Sequence, residues 1–118
     1  MRVLIADDNQ LVRRAIASLL ADAEDVEVCG EAADSGEALQ KAGELRADII
    51  LLDFSMPGIN GLITAQRLKQ TLPAVKILII SQHDPKQLLP RSLEAGADGC
   101  IDKGRLATDL LPTLRRLF

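Results

Sequence analysis

Short apolar bursts separated by amphipathic stretches constrain this chain more than any other feature. The bursts are "VLIA" from Val3, "VEVCGEA" from Val26, "DIILLDF" from Asp48, "VKILIIS" from Val75 and "GCI" from Gly99. Between them, apolar residues recur at helical spacing. Leu11, Val12, Ala15, Ile16, Leu19 and Leu20 share one face, as do Ala38, Leu39, Ala42 and Leu45, then Leu62, Ala65 and Leu68, then Leu106, Leu110, Leu114 and Leu117. The bursts return every 23 to 27 residues or so, roughly the size of a strand–helix unit. Strands alternating with helices predict a parallel sheet covered on both faces, with right-handed crossovers. The runs "DIILLD" and "VKILIIS" are nearly continuously apolar, as strands buried on both faces must be. At 118 residues and 47% hydrophobic content, the chain forms one α/β domain over 1–118 with a substantial core.

Composition removes several classes of function. Phe54 and Phe118 are the only aromatics apart from one histidine, and net charge is -3. Base stacking and phosphate-backbone binding by this domain are therefore not expected. No apolar run approaches the roughly 20 residues of a membrane span, and the opening "MRVLIADD" is too short for a secretion signal. A cytoplasmic location follows as an expectation. Cys29 and Cys100, without C-x-x-C spacing, read as free thiols. Pro85 suits a first helical position, whereas Pro90 and Pro112 fall inside helical stretches. They predict a kink or late start at Pro90 and a bend near Pro112.

In a doubly wound sheet, ligands bind beyond the carboxyl ends of the strands, where strand order reverses. The first strand ends in Asp7-Asp8, the third in Asp53 and the fourth in Ser81, and Lys103 follows the fifth. Singly, each has an ordinary explanation. "DDNQ" could cap the first helix, Ser81 could be a turn residue, and Lys103 a solvated lysine. Five such residues, each at a strand's carboxyl end, are harder to assign to capping. Converging carboxylates repel unless one takes up a proton or a cation joins them. A hard divalent ion, Mg²⁺ with Mn²⁺ as an alternative, suits carboxylates, waters and a phosphate together. One carboxylate could then act as a nucleophile toward phosphorus, with a lysine offsetting charge on the transferring group.

These motifs carry a family likeness. From "VLIADD" through "LLDFSMPGINGL" and "ILIIS" to "GADGCIDK", the chain resembles the receiver domain of two-component response regulators along its whole length. "SQHDP", "GADGCIDK" and the absence of proline after Lys103 place the resemblance with receivers fused to a LuxR-type helix-turn-helix DNA-binding domain. The resemblance implies the flavodoxin-like, CheY-like fold: strand order 2-1-3-4-5 with five helices. That order puts Cys29 and Cys100 on opposite edges, too far apart to bridge. It also implies roles. Asp53 is the phosphoacceptor. Asp8 ligates Mg²⁺ directly, Asp7 largely through water, and the Ser55 backbone carbonyl is another ligand. Ser81 bonds a phosphoryl oxygen in the active state, and Lys103 pairs with the phosphoryl group or, before phosphorylation, with Asp53. The implied partners are a sensor histidine kinase and a second copy of the chain, through the fourth and fifth or the first and fifth helices. Nucleic acid would be bound only through a C-terminal domain outside this chain, which reads as an excised receiver. Such a domain accepts and loses its own phosphoryl group and is no turnover enzyme on external substrates.

Two departures stand out. Cys100 occupies the position where receivers usually carry Tyr or Phe, and a thiol cannot fill that volume; a weaker switch, or one using another element, is expected. Gln82 replaces a usually small residue and would crowd the phosphate entrance. His83 either shields the site from water or is a solvated loop histidine. The competing reading is a degenerate receiver acting as a phosphorylation-independent binding module. A dehalogenase-type phosphohydrolase needs a second acid where this chain has Ser55. A flavin site is disfavoured by the acidic loop after the first strand.

Overall fold

The five strands pair in parallel in the order β2-β1-β3-β4-β5, so chain order reverses between β1 and β3. This arrangement is seen in a computed structural model describing residues Met1–Phe118. The strands are β1 (Arg2–Ala6), β2 (Glu27–Ala32), β3 (Ile49–Asp53), β4 (Lys76–Ser81) and β5 (Gly99–Asp102). The helices are α1 (Gln10–Leu20), α2 (Ser35–Glu44), α3 (Gly61–Thr71), α4 (Pro85–Glu94) and α5 (Leu106–Leu117), with a single 3₁₀ turn at Lys103–Arg105 before α5. All residues of β3 are buried, which explains its unbroken apolar run.

Because side chains alternate along a strand, the central strands feed two separate cores. Leu4, Ile50, Leu52, Ile77 and Ile79 pack with Ala38 and Ala42 of α2, Ala65 and Leu68 of α3, and Leu88 of α4. Val3, Ile5, Ile49, Leu51, Leu78 and Ile80 pack with Ile16 and Leu20 of α1 and Leu110 and Leu114 of α5. Each fully buried aliphatic side chain contributes about 1.5–3 kcal/mol, and these two layers hold the sheet rigid beneath its carboxyl edge.

Four helices begin with a side-chain cap. Asn9, Asp34, Asn60 and Asp84 each accept a backbone N–H of the following turn. Asn9 therefore does the capping that "DDNQ" left open, and Asp7 and Asp8 are free of that duty.

Two expectations need correcting. α4 starts at Pro85, so the late start at Pro90 is not found, and helical structure continues through Pro90 in α4 and Pro112 in α5. Each proline is exposed, so its ring stands clear of the core, and packing of Leu88, Leu110 and Leu114 outweighs one missing backbone bond. The α1 apolar face is also divided. Ile16 and Leu20 are buried, but Leu11 is 72% exposed and Leu19 37% exposed. With Val12, Ala15, Leu106 and Ala107 these two leucines line an open apolar hollow beside Lys103. Both cysteines are free, on opposite edge strands as expected.

Candidate functional site

The pairing of Ala6 with Leu52 across β1 and β3 carries Asp7 and Asp53 side by side to the carboxyl edge, at the point where strand order reverses. Asp7 is 2% exposed and Asp53 4%, while Asp8 is exposed. One carboxylate oxygen from each of Asp7, Asp8 and Asp53 lies within 4.8 Å of the others. Local bonds hold this cluster. The Asp7 N–H donates to Ala32 O at 3.0 Å, and Asp7 Oδ1 accepts the Asn9 N–H at 2.8 Å. Arg13 Nη1 donates to the Asp7 carbonyl at 2.6 Å. Asp53 Oδ1 accepts the Ser55 N–H at 3.3 Å.

Lys103 is the cation of the site. Its Nζ lies 2.9 Å from Asp7 Oδ2 and 3.5 Å from Asp53 Oδ2. The expected partner, Asp53, is therefore present, but the closer contact is with Asp7. Burial pushes the Asp53 carboxyl above the usual carboxylate range, and the Asp7 charge adds to this; the Ser55 N–H and Lys103 only partly oppose them. Burial alone would lower Lys103, but its hydrogen bond to Asp7 and the charges of Asp53 and Asp7 outweigh that and raise it.

Ser81 ends β4, buried, one register step beyond the Asp53–Ile80 pair. Its Oγ accepts the His83 N–H at 2.9 Å, leaving its own proton to donate. Gln82 and His83 are exposed, but His83 is more than a solvated loop residue. Its ring meets Phe54 edge-on, centroids 5.6 Å apart and planes at 87°. Cys100 stands apart from the cluster. It pairs with Ile79, two residues before the end of β4, and lines an open hollow of about 570 Å³ between α4, β5 and α5.

Asn9 and Phe54 are site residues that the strand-end pattern did not reveal. Asn9 ties the Asp7 carboxylate to the start of α1, and Phe54 ties the loop after Asp53 to the β4–α4 loop. The signal for Phe54 was its place beside Asp53, as one of only two phenylalanines.

The donor set suits a hard divalent cation: oxygen ligands, two buried and one facing water. Such a group of carboxylates is also what receiver domains use to bind Mg²⁺.

Comparison with known proteins agrees with this geometry. Residues 3–115 match the family model described as "Response regulator receiver domain". The response regulator GacA of Pseudomonas viridiflava is 36% identical over 118 residues, covering 100% of this chain and 55% of the relative. The chain thus spans about half the length of the curated relatives it matches. A LuxR-family two-component response regulator from Aurantimonas superposes with a TM-score of 0.92 at 29% identity, over 98% of this chain and 83% of that one. The isolated receiver of RcsB from Salmonella enterica serovar Typhimurium, solved with the phosphomimetic BeF3⁻, superposes with a TM-score of 0.91 at 30% identity, over 99% of this chain and 87% of that one. RcsB has also been solved bound to the promoter rprA in the presence of BeF3⁻, with a TM-score of 0.90 at 30% identity over 99% of this chain and 59% of that one. With this fold, this carboxylate cluster and a family match over nearly its whole length, the chain belongs to the response regulator receiver domain family.

Proposed function

We propose that this domain is a phosphorylation switch in which Asp53 takes a phosphoryl group from a sensor histidine kinase. The observation that carries it is the packing of the buried Asp53 carboxylate against Asp7, Asp8 and Lys103 at the strand reversal. An Asp53 oxygen attacks phosphorus in line; the new P–O bond forms as the P–N bond of the phosphohistidine breaks, and the imidazole leaves with the electron pair. Bound at Asp7, Asp8, Asp53 and the Ser55 carbonyl, Mg²⁺ would supply charge stabilisation to the transferring group. Lys103, beside the Asp7 and Asp53 carboxylates, holds a positive charge where negative charge gathers. Ser81 has a proton free to donate to a phosphoryl oxygen. Water later hydrolyses the acyl phosphate, so the domain is a phosphoacceptor and not a turnover enzyme.

The output is proposed to be transcriptional. RcsB, a structural neighbour, is solved on a promoter with BeF3⁻, and the chain covers only about half of its curated relatives. DNA would be bound by a domain beyond this one, in the cytoplasm, with a second copy of the receiver pairing through α4–α5 or α1–α5. No helix is long and apolar enough to cross a membrane.

Cys100 and Gln82 favour a second reading, a degenerate receiver that binds partners without phosphorylation. The intact carboxylate cluster favours the first. Amide chemical shifts of the domain with Mg²⁺ and BeF3⁻ separate them. The switch reading expects saturable shifts at Ser55, Ser81 and Lys103 in wild type and none in Asp53→Asn. Absence of shifts in wild type favours the binding module. Because Cys100 leaves its hollow open, shifts are expected to fade along β5 and α4; a full rearrangement there contradicts a weak switch.

A further inference from the structure

Ser35 and Thr64 are buried hydroxyls that the chemistry above does not use. A buried hydroxyl is costly unless partnered, so its bonds show what it holds. Ser35 opens α2, an element that contributes no group to the acidic cluster, and is 2% exposed. Its Oγ donates to Ile59 O at 2.7 Å, and its backbone N–H donates to Pro57 O at 3.3 Å. Thr64, wholly buried on α3, donates to Asn60 O at 2.9 Å, and its oxygen stands 3.3 Å from Ser35 Oγ. The start of α2 thus holds two carbonyls of one loop, Pro57 and Ile59, while the Thr64–Asn60 bond lies within the first turn of α3 and places Thr64 against Ser35.

That loop is the segment leaving Asp53, and little slack remains in it. At its neck the Gly61 N–H donates to Phe54 O at 3.2 Å, and a Cβ on Gly61 would lie 2.9 Å from Phe54 Cα. Met56 is buried in the core shared with α2 and α3. Gly58 adopts φ +100°, and a Cβ there would come within 3.3 Å of both Ser35 Cβ and Oγ. The loop therefore rests directly on Ser35. Ser55 lies between the neck and this resting point, exposed and joined to Asp53 by its own N–H.

We propose that Ser35 is a positioning residue for the cation site. Through Ile59 and Pro57 it fixes the loop that orients the Ser55 carbonyl and the Asp53 carboxylate, and so sets how tightly a divalent cation is held. The inference rests on the metal-dependent reading of the cluster. Removing supporting hydrogen bonds one shell out from a metal weakens binding by about 10- to 100-fold; Ser35 acts one link further out, so about 3- to 10-fold is expected by the same reasoning.

The test uses the 118-residue domain as wild type and Ser35→Ala, which keeps the N–H bond to Pro57. Two quantities are measured: the Mg²⁺ dissociation constant from amide shifts in a MgCl₂ titration, and residue-resolved amide hydrogen exchange. Expected are weaker Mg²⁺ binding and faster exchange at Ser55 and Gly61, with β1, β3 and β4 unchanged. Unchanged Mg²⁺ affinity in Ser35→Ala, with wild type binding normally, overturns the proposal. Weaker affinity with faster exchange throughout the sheet also overturns it, since Ser35 would then be merely structural. Wild type without saturable Mg²⁺ shifts at the acidic cluster overturns the metal reading and, with it, this inference.

Discussion

Asp53 is asked to stay ionised where burial and Asp7 both disfavour its charge. Its carboxyl is raised above the usual range, so the folded state holds that proton more tightly than the unfolded chain. Stability from this group is therefore greatest in acid and falls as pH rises through the folded-state value. Lys103, raised as well, adds stability below the ordinary lysine range that is lost only in strong alkali. Asp53→Asn removes the buried charge and keeps the shape. In chelator at neutral pH its melting temperature is predicted to exceed wild type by a few degrees, and the gain should vanish below the usual carboxylate range. A variant less stable than wild type at neutral pH would mean that the Lys103 pairing outweighs burial. Asp7, Asp8, Asp53, Ser81 and Lys103 were legible because each follows or ends an apolar run, where the position alone gives the direction. Asn9, Phe54 and Ser35 were not, because their roles depend on partners such as Asp7, His83 and Ile59 that only the folded chain brings near.

At the scale of elements, the strands and four of the helices followed from period, α4 from Pro85 at its first turn, and the difference from expectation came where packing overrides local cost. α4 and α5 tolerate Pro90 and Pro112 because one lost backbone bond is smaller than the burial of their apolar faces. In the α1 stripe, Ile16 and Leu20 are buried and Val12 packs partly against the core, while Leu11 stays in water; periodicity gives a stripe's existence but not its width of cover. The loop from Phe54 to Asn60 has the opposite character, since its shape depends on one backbone angle. Gly58 at φ +100° sits against Ser35, so Gly58→Ala is predicted to destabilise the domain by about 1–3 kcal/mol, measured by urea unfolding. No loss of stability would mean that the loop has room to relax, and the tight path from Asp53 to α3 would have to be abandoned.

As a whole molecule, the domain is a parallel sheet covered on both faces, with its acidic cluster at one edge. The order β2-β1-β3-β4-β5 brings Asp7 and Asp53 together from strands separated in the chain by α1, β2 and α2. That order came from resemblance; alternation alone predicted a parallel sheet and left the arrangement open. The hollow at Cys100 lies outside the acidic cluster, whereas the apolar hollow on α1 reaches the cluster's edge at Lys103. The most direct measurement is intact mass after incubation with Mg²⁺ and acetyl phosphate, for wild type and Asp53→Asn. The predicted result is one added phosphoryl group in wild type only, abolished by chelator. An unmodified wild type, or equal modification of both proteins, would contradict Asp53 as the phosphoacceptor.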